Sequence, residues 1–220
     1  MMMRERPLRE YLTPQDVRRM VETAKAKNER HALFLQVLYE TGARVSEVTG
    51  LRALDSKDRQ DHPEFGLTPN SIDPENKTIR LICLKRRKRE FKYVSVSKEL
   101  IDWLLDYCER NEIRSGDRIF PFTRCAGYQI VEKYAELAGV WVKPDSVRGL
   151  KERVGRVHPH LFRHSHAVNI ARNSKSVLGG LKIIQDRLGH KNLATTFRYL
   201  RFFPREMEEV EVIKAVKGES

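Results

Sequence analysis

Apolar residues keep a helical spacing along most of the chain and switch to alternation in one short stretch. Val17, Met20, Val21 and Ala24 recur at three- and four-residue intervals, the period of one helix face. They follow Thr13-Pro14-Gln15-Asp16, which has the form of a helix start: Thr as N-cap, Pro in the first turn, an acid behind it. A second helix is predicted from about Glu29, rich in Ala32, Leu33, Leu35, Val37 and Leu38, and stopping at Gly42, a residue suited to the left-handed position past a helix end. A third starts at once with Arg44-Val45-Ser46-Glu47-Val48. Residues 52–76 are rich in Asp and Pro with little periodicity, and read as a long loop.

The period then changes. Residues 78–84 and 91–97 are β-branched and apolar runs around Lys85-Arg86-Arg87-Lys88-Arg89-Glu90, the pattern of a β-hairpin with a basic tip. Ser97 can cap a helix reaching about Arg110, and further helices are predicted at 126–138, ending at Gly139, and at 160–173. Another runs over 181–188 to Gly189, and a short one is capped by Asn192. Met207, Val210 and Ile213 form one stripe over 205–216, an amphipathic helix. The pattern describes a mainly helical α+β chain with one small antiparallel sheet.

Composition narrows the class. Of 220 residues, 40% are hydrophobic and 33% charged, which excludes a disordered chain. The longest stretch free of Asp, Glu, Lys and Arg is residues 31–39, far short of the ~20 that span a bilayer. No apolar signal-peptide core follows the start. Cys83, Cys108 and Cys125 make neither a disulfide framework nor a metal-type pair, so a reducing cytoplasm is the expected compartment. The net charge of +12 makes nucleic acid the first partner to consider.

The chemistry concentrates late in the chain, in His160-Leu161-Phe162-Arg163-His164, then Leu188-Gly189-His190, then Tyr199. On a helix His160 and Arg163 share a face, so one can move a proton while the other forks onto a phosphate. His190 opens a turn, and Tyr199 follows nine positions later. Tyr199 lies within Phe197-Arg198-Tyr199-Leu200-Arg201-Phe202-Phe203, a run that also fits a buried aromatic helix. With Arg44 and Lys85 the set is two Arg, one Lys, two His and one Tyr, without a carboxylate cluster for Mg²⁺ or Cys/His spacing for zinc. These types suit metal-free phosphoryl transfer: cations balance the phosphate, a tyrosine attacks and a nearby donor protonates the departing oxygen. His164 and His166 read as packing or hydrogen-bonded histidines.

Taken in order, Thr41-Gly42-Ala43-Arg44-Val45-Ser46-Glu47, His160-Leu161-Phe162-Arg163-His164, Leu188-Gly189-His190 and Tyr199 resemble the tyrosine site-specific recombinases, the phage integrase and Xer-like family, over about residues 11–205. The resemblance implies a helical catalytic domain with a small three-stranded antiparallel sheet. It implies that Tyr199 attacks a scissile phosphate, leaving a 3′-phosphotyrosyl bond and a free 5′-hydroxyl. Arg44 and Arg163 would clamp the non-bridging oxygens, His160 would help take the tyrosine proton, and His190 would hydrogen-bond the phosphate. Lys85, with Lys88 as runner-up, would protonate the leaving oxygen, and Glu47 would orient Arg44. Arg86, Arg87, Lys88 and Arg89 would contact DNA from the hairpin. No metal, ATP or other cofactor is implied.

The partner implied is double-stranded DNA with inverted half-sites, bound by a homotetramer in which the C-terminal tail docks in trans, on the nucleoid. The expected organisation is an N-terminal extension or linker over 1–12, a catalytic domain over 13–204 and a tail over 205–220. Residues 55–75 would be an insertion, and the family's usual N-terminal core-binding domain is expected to be absent. Two rival readings keep the chemistry or the DNA but not recombination: a DNA-binding catalytic fragment without productive recombination, and type IB topoisomerase-like relaxation.

Overall fold

A computed structural model describes residues 10–50, 66–82, 90–142, 157–190 and 192–204. The first helix, α1 (Pro14–Lys25), opens as its sequence predicts. Thr13 Oγ1 accepts from the Asp16 amide at 3.2 Å while the Asp16 carboxylate accepts from the Thr13 amide at 2.9 Å, a reciprocal cap that satisfies two otherwise orphaned donors. α2 (Glu29–Thr41) is buried around most of its circumference, by Ala32, Leu33, Phe34, Leu35, Val37 and Leu38, the mark of a central helix. It packs against α1, α4 (Lys98–Arg110) and α6 (Pro159–Asn173). It ends at Gly42, left-handed with φ +59, and α3 (Val45–Thr49) follows directly.

The sheet is three-stranded and antiparallel in the order β1 (Ile72–Asp73), β2 (Thr78–Ile82), β3 (Phe91–Ser95). Its register pairs Ile79 with Val94 and Leu81 with Lys92. The expected loop over 52–76 is corrected in its described part: a 3₁₀ turn, Pro69–Ser71, leads into β1, where Ile72 pairs with Ile79 and Asp73 with Thr78. Two residues are too few to show an alternation, so only the partner strand reveals this one. Asp73 then closes the turn to β2, accepting from the Asn76 amide at 3.0 Å.

α5 (Arg124–Leu137) begins two positions earlier than predicted, because Thr123 caps it through the Ala126 amide. α7 (Val177–Leu188) begins four positions earlier, capped by Ser176 through the Gly179 amide at 3.1 Å. Gly180 lies inside this helix because a Cβ there would come within 2.6 Å of the Phe203 ring. α8 (Ala194–Phe197) and a last 3₁₀ turn (Leu200–Phe202) follow.

Burial forms two clusters. The larger joins α1 to α5, the sheet and the start of α6; the smaller joins the rest of α6 to α7, Tyr199 and Phe203. α6 therefore spans the seam between them. Tyr11 and Leu12, expected in a linker, pack onto this body: Leu12 is buried and its amide donates to Ser165 Oγ at 2.7 Å. The hairpin tip at 85–89 and the tail 205–220 lie outside the described residues.

Phe34 is fully buried, with its ring 5.6 Å from Phe120 and 5.0 Å from Phe122. Phe34→Ala should cost about 3–5 kcal/mol in denaturant unfolding, with no change of comparable size for truncation of exposed Tyr93.

Candidate active site

Arg44 occupies the N-cap of α3, in extended backbone just past the left-handed turn at Gly42. Its guanidinium, partly exposed, donates to Glu47 Oε1 at 2.7 Å, and its amide donates to Glu47 Oε2 at 3.0 Å. Glu47 is buried. Burial alone would raise its pKa, but the charge of Lys92, the Arg44 amide, the Lys92 hydrogen bond and the charge of Arg44 together hold it below the usual carboxylate range.

Arg163 lies on α6 with its side chain inside the protein. One guanidinium nitrogen donates to the Gly42 carbonyl at 2.8 Å and another to the Leu188 carbonyl. Three segments far apart in sequence thus meet on one cation: the Gly42 turn that presents Arg44, the helix carrying His160, and the end of α7 that presents His190. One turn further along α6, His166 donates from Nδ1 to the Tyr39 carbonyl at 2.9 Å, which fixes the tautomer. Its Cδ2 lies only 2.7 Å from where a Cβ on Gly42 would stand, so that turn requires glycine for space as well as for φ. Loss of water, then the charge of Arg187, lowers the His166 pKa to about 3, with the Tyr39 bond opposing.

His190 is half-buried, with Nδ1 3.0 Å from Thr196 Oγ1. Burial first, then the charges of Arg163, Arg44 and Arg198, lower its pKa to about 4. His160 stands at the exposed rim. Restricted water around its ring, then the charges of His158, Arg163, Arg44 and Arg124, lower its pKa as well. Both arginines therefore act on both imidazoles.

Tyr199 sits in the turn between α8 and the 3₁₀ segment, and its side chain is 4% exposed. Its ring lies 5.5 Å from that of His164, which also meets Phe202 at 5.7 Å, and Phe202 in turn meets Tyr11 at 5.8 Å. Burial raises the Tyr199 pKa while Arg198 and Arg163 oppose, and the phenol stays protonated. Of the residues singled out from sequence, Arg44, Glu47, His160, Arg163 and His190 come together with Tyr199 sunk beside them. Lys85, Arg86, Arg87, Lys88 and Arg89 lie outside the described residues. Among the described residues no three His, Cys, Asp or Glu side chains form a group that could hold a metal ion.

A family profile described as "Phage integrase family" matches residues 65–206. The chain belongs to the phage integrase family. It is 28% identical over 201 residues to a tyrosine recombinase of Pseudothermotoga lettingae, a match covering 91% of this chain and 59% of that protein. The catalytic domain of bacteriophage HP1 integrase superposes with a TM-score of 0.61 at 19% identity, covering 96% of this chain and 98% of that one. A XerH site-specific recombinase, solved as a post-cleavage complex on a palindromic difH substrate, superposes with a TM-score of 0.57 at 19% identity, covering 92% of this chain and 52% of that one. The fold is that of tyrosine-recombinase catalytic domains, and the chain spans little more than half the length of the longer relatives.

This phage integrase family member also gathers residues that sequence reading passed over. Lys92 bonds Glu47; Arg124 acts on His160; Arg198 acts on His190 and Tyr199; Thr196 orients His190. Two left a trace in the sequence. Arg198 adjoins Tyr199, and Lys92 falls in phase with Val94 and Val96, on the face of the hairpin that alternation turns inward.

His190 and His166 have folded pKa values below the 6.5 of a free histidine, so the unfolded chain binds more protons between those limits. Their contribution to stability is complete above pH 6.5 and is lost as pH falls toward 4 and then 3. Unfolding free energy should decline over that window and decline less steeply in His166→Phe. In NMR titration the His190 ring should change charge near pH 4.

Proposed function

We propose that the chain cleaves and rejoins DNA strands through a covalent phosphotyrosyl intermediate, without metal or ATP. The observation that carries this reading is the convergence on Arg163: its charge acts on His160, His190 and Tyr199, and its hydrogen bonds join the turns presenting Arg44 and His190. Arg44 and Arg163 balance a phosphate's charge and stabilise the crowded transition state. His190, neutral and committed through Nδ1 to Thr196, offers Nε2 to a phosphate oxygen. His160, also held toward its neutral form, receives the Tyr199 proton.

The Tyr199 oxygen then attacks phosphorus, a Tyr–O–P bond forms and the P–O5′ bond breaks. Lys85 or Lys88 supplies the proton to the 5′-oxygen. The bond energy is kept in the phosphotyrosine, so a 5′-hydroxyl can reverse the step. Tyr199 as it lies is covered by protein, and the step requires it to leave the His164 ring and enter the cationic pocket. Glu47 orients Arg44.

The substrate is duplex DNA with inverted half-sites, bound as a homotetramer on the nucleoid with the tail 205–220 docking in trans and Arg86, Arg87, Lys88 and Arg89 along the backbone. The +12 charge and the fold shared with a recombinase solved on a palindromic site support it. Residues 13–204 are the catalytic unit.

In EDTA, a nicked suicide duplex bearing the cognate site should yield a covalent protein–DNA adduct with the wild-type chain and none with Tyr199→Phe. Arg163→Ala should lower the adduct rate by at least a hundredfold, the order expected for a lost oxyanion donor. Absence of wild-type adduct, or an adduct that survives in Tyr199→Phe, would overturn the reading.

A further inference from the structure

Lys92 is a cation on the inward face of a strand. Its register partner is Leu81 and the neighbouring pair on that face is Ile79 with Val94, all three of these apolar side chains buried. A lysine in such a place has its desolvation offset only by specific partners. Its side chain is 11% exposed, and Nζ donates to Glu47 Oε2 at 2.9 Å and to the Arg187 carbonyl at 3.3 Å.

Glu47 is itself 1% exposed, and its other oxygen takes the Arg44 guanidinium at 2.7 Å. The next carbonyl after Arg187, that of Leu188, is the one that accepts from Arg163. A single ammonium thereby joins the strand leading from the basic hairpin, the helix that presents Arg44 and the helix end that presents His190.

The charge count around Glu47 matters as much as the geometry. One carboxylate facing one guanidinium leaves a neutral pair, with no surplus charge for a phosphate. Within the triad of Glu47, Arg44 and Lys92 two cations face one carboxylate, and the partly exposed cation is Arg44. We infer that Lys92 is a positioning residue for strand cleavage: by taking one oxygen of Glu47 and the Arg187 carbonyl, it holds Glu47 in the place from which it aims Arg44 at the phosphate, and locks the hairpin strand to both phosphate-binding turns. This inference rests on the cleavage reading above and adds to it a residue that touches neither substrate nor reacting atoms. The same pairing gives it a signature in pH. Lys92 is the largest of the influences that hold the buried Glu47 ionised against its desolvation, so without it Glu47 takes up a proton at higher pH and releases Arg44.

The test compares wild type, Lys92→Met and Lys92→Arg as full chains on the suicide duplex. At saturating DNA, Lys92→Met should form adduct about tenfold to a hundredfold more slowly, the order expected for a misplaced catalytic group. The acid limb of its rate profile should move to higher pH. Its half-site affinity should stay within about twofold, since many other basic residues contact the backbone. Lys92→Arg, which keeps the charge, should recover most of the rate and the wild-type profile. An adduct rate equal to wild type, or a uniform loss at every pH in step with a lowered melting temperature, would overturn the inference while leaving the cleavage reading intact. If wild type forms no adduct, the cleavage reading falls. Amide hydrogen exchange then decides the latch: faster exchange at residues 45–48 and 187–190 in Lys92→Met supports it, and unchanged exchange overturns it.

Discussion

The site depends on one buried guanidinium. Arg163 has been taken out of water and given backbone carbonyls in exchange, those of Gly42 and Leu188. Both acceptors lie where a helix has just ended, so their oxygens lack partners within the helix and turn toward a donor. A planar fork of five donors can serve two such ends at once, which a lysine could not do with the same fixed geometry. The turn at Gly42 can come close because it has no Cβ, and His166 fills the space a side chain would need. Through these contacts the larger core cluster, which positions Arg44, and the smaller one, which positions His190 and Tyr199, are held in one frame.

Crowding cations around that frame has a consequence for every titratable neighbour. His160, His166 and His190 are all driven toward the neutral form, by lost hydration first and then by neighbouring positive charge, from arginines at His166 and His190 and from His158 ahead of the arginines at His160. Neutral imidazoles accept as well as donate protons, which suits both a base and a phosphate ligand at neutral pH. Glu47 is the counterweight. Its single buried carboxylate is shared between Arg44 and Lys92, leaving the pocket rich in positive charge and without strong mutual repulsion between neighbouring cations.

Tyr199 stands apart from this pre-set arrangement. Its ring belongs to the smaller apolar cluster and lies beside His164, in a chain of rings that continues through Phe202 to Tyr11. A phenol held in that way is protonated and shielded from solvent. In the proposed reaction the energy to expose it comes from DNA binding, since the surface uncovered is apolar and its exposure costs free energy by itself.

Much of the fold was legible in the sequence because helix ends and amphipathic faces are local properties. Thr13 with Asp16, Ser97, Gly42 and Gly189 mark ends that the backbone obeys. α5 and α7 start ahead of the apolar periodicity that predicts them, at Thr123 and Ser176, whose side chains cap the first turns. Strand β1 was hidden because two residues have no period. The order of Arg44, His160, Arg163, His190 and Tyr199 along the chain carried the family resemblance. The sequence by itself determined the residue types, their order and the local ends that present them. Only the tertiary structure decided that Tyr199 is covered, that Arg163 ties two helix ends together, and that Lys92 shares Glu47 with Arg44. Those are matters of burial and of pairing between residues up to 121 positions apart, set by how the two clusters pack, and a one-dimensional pattern holds no record of the distance between them.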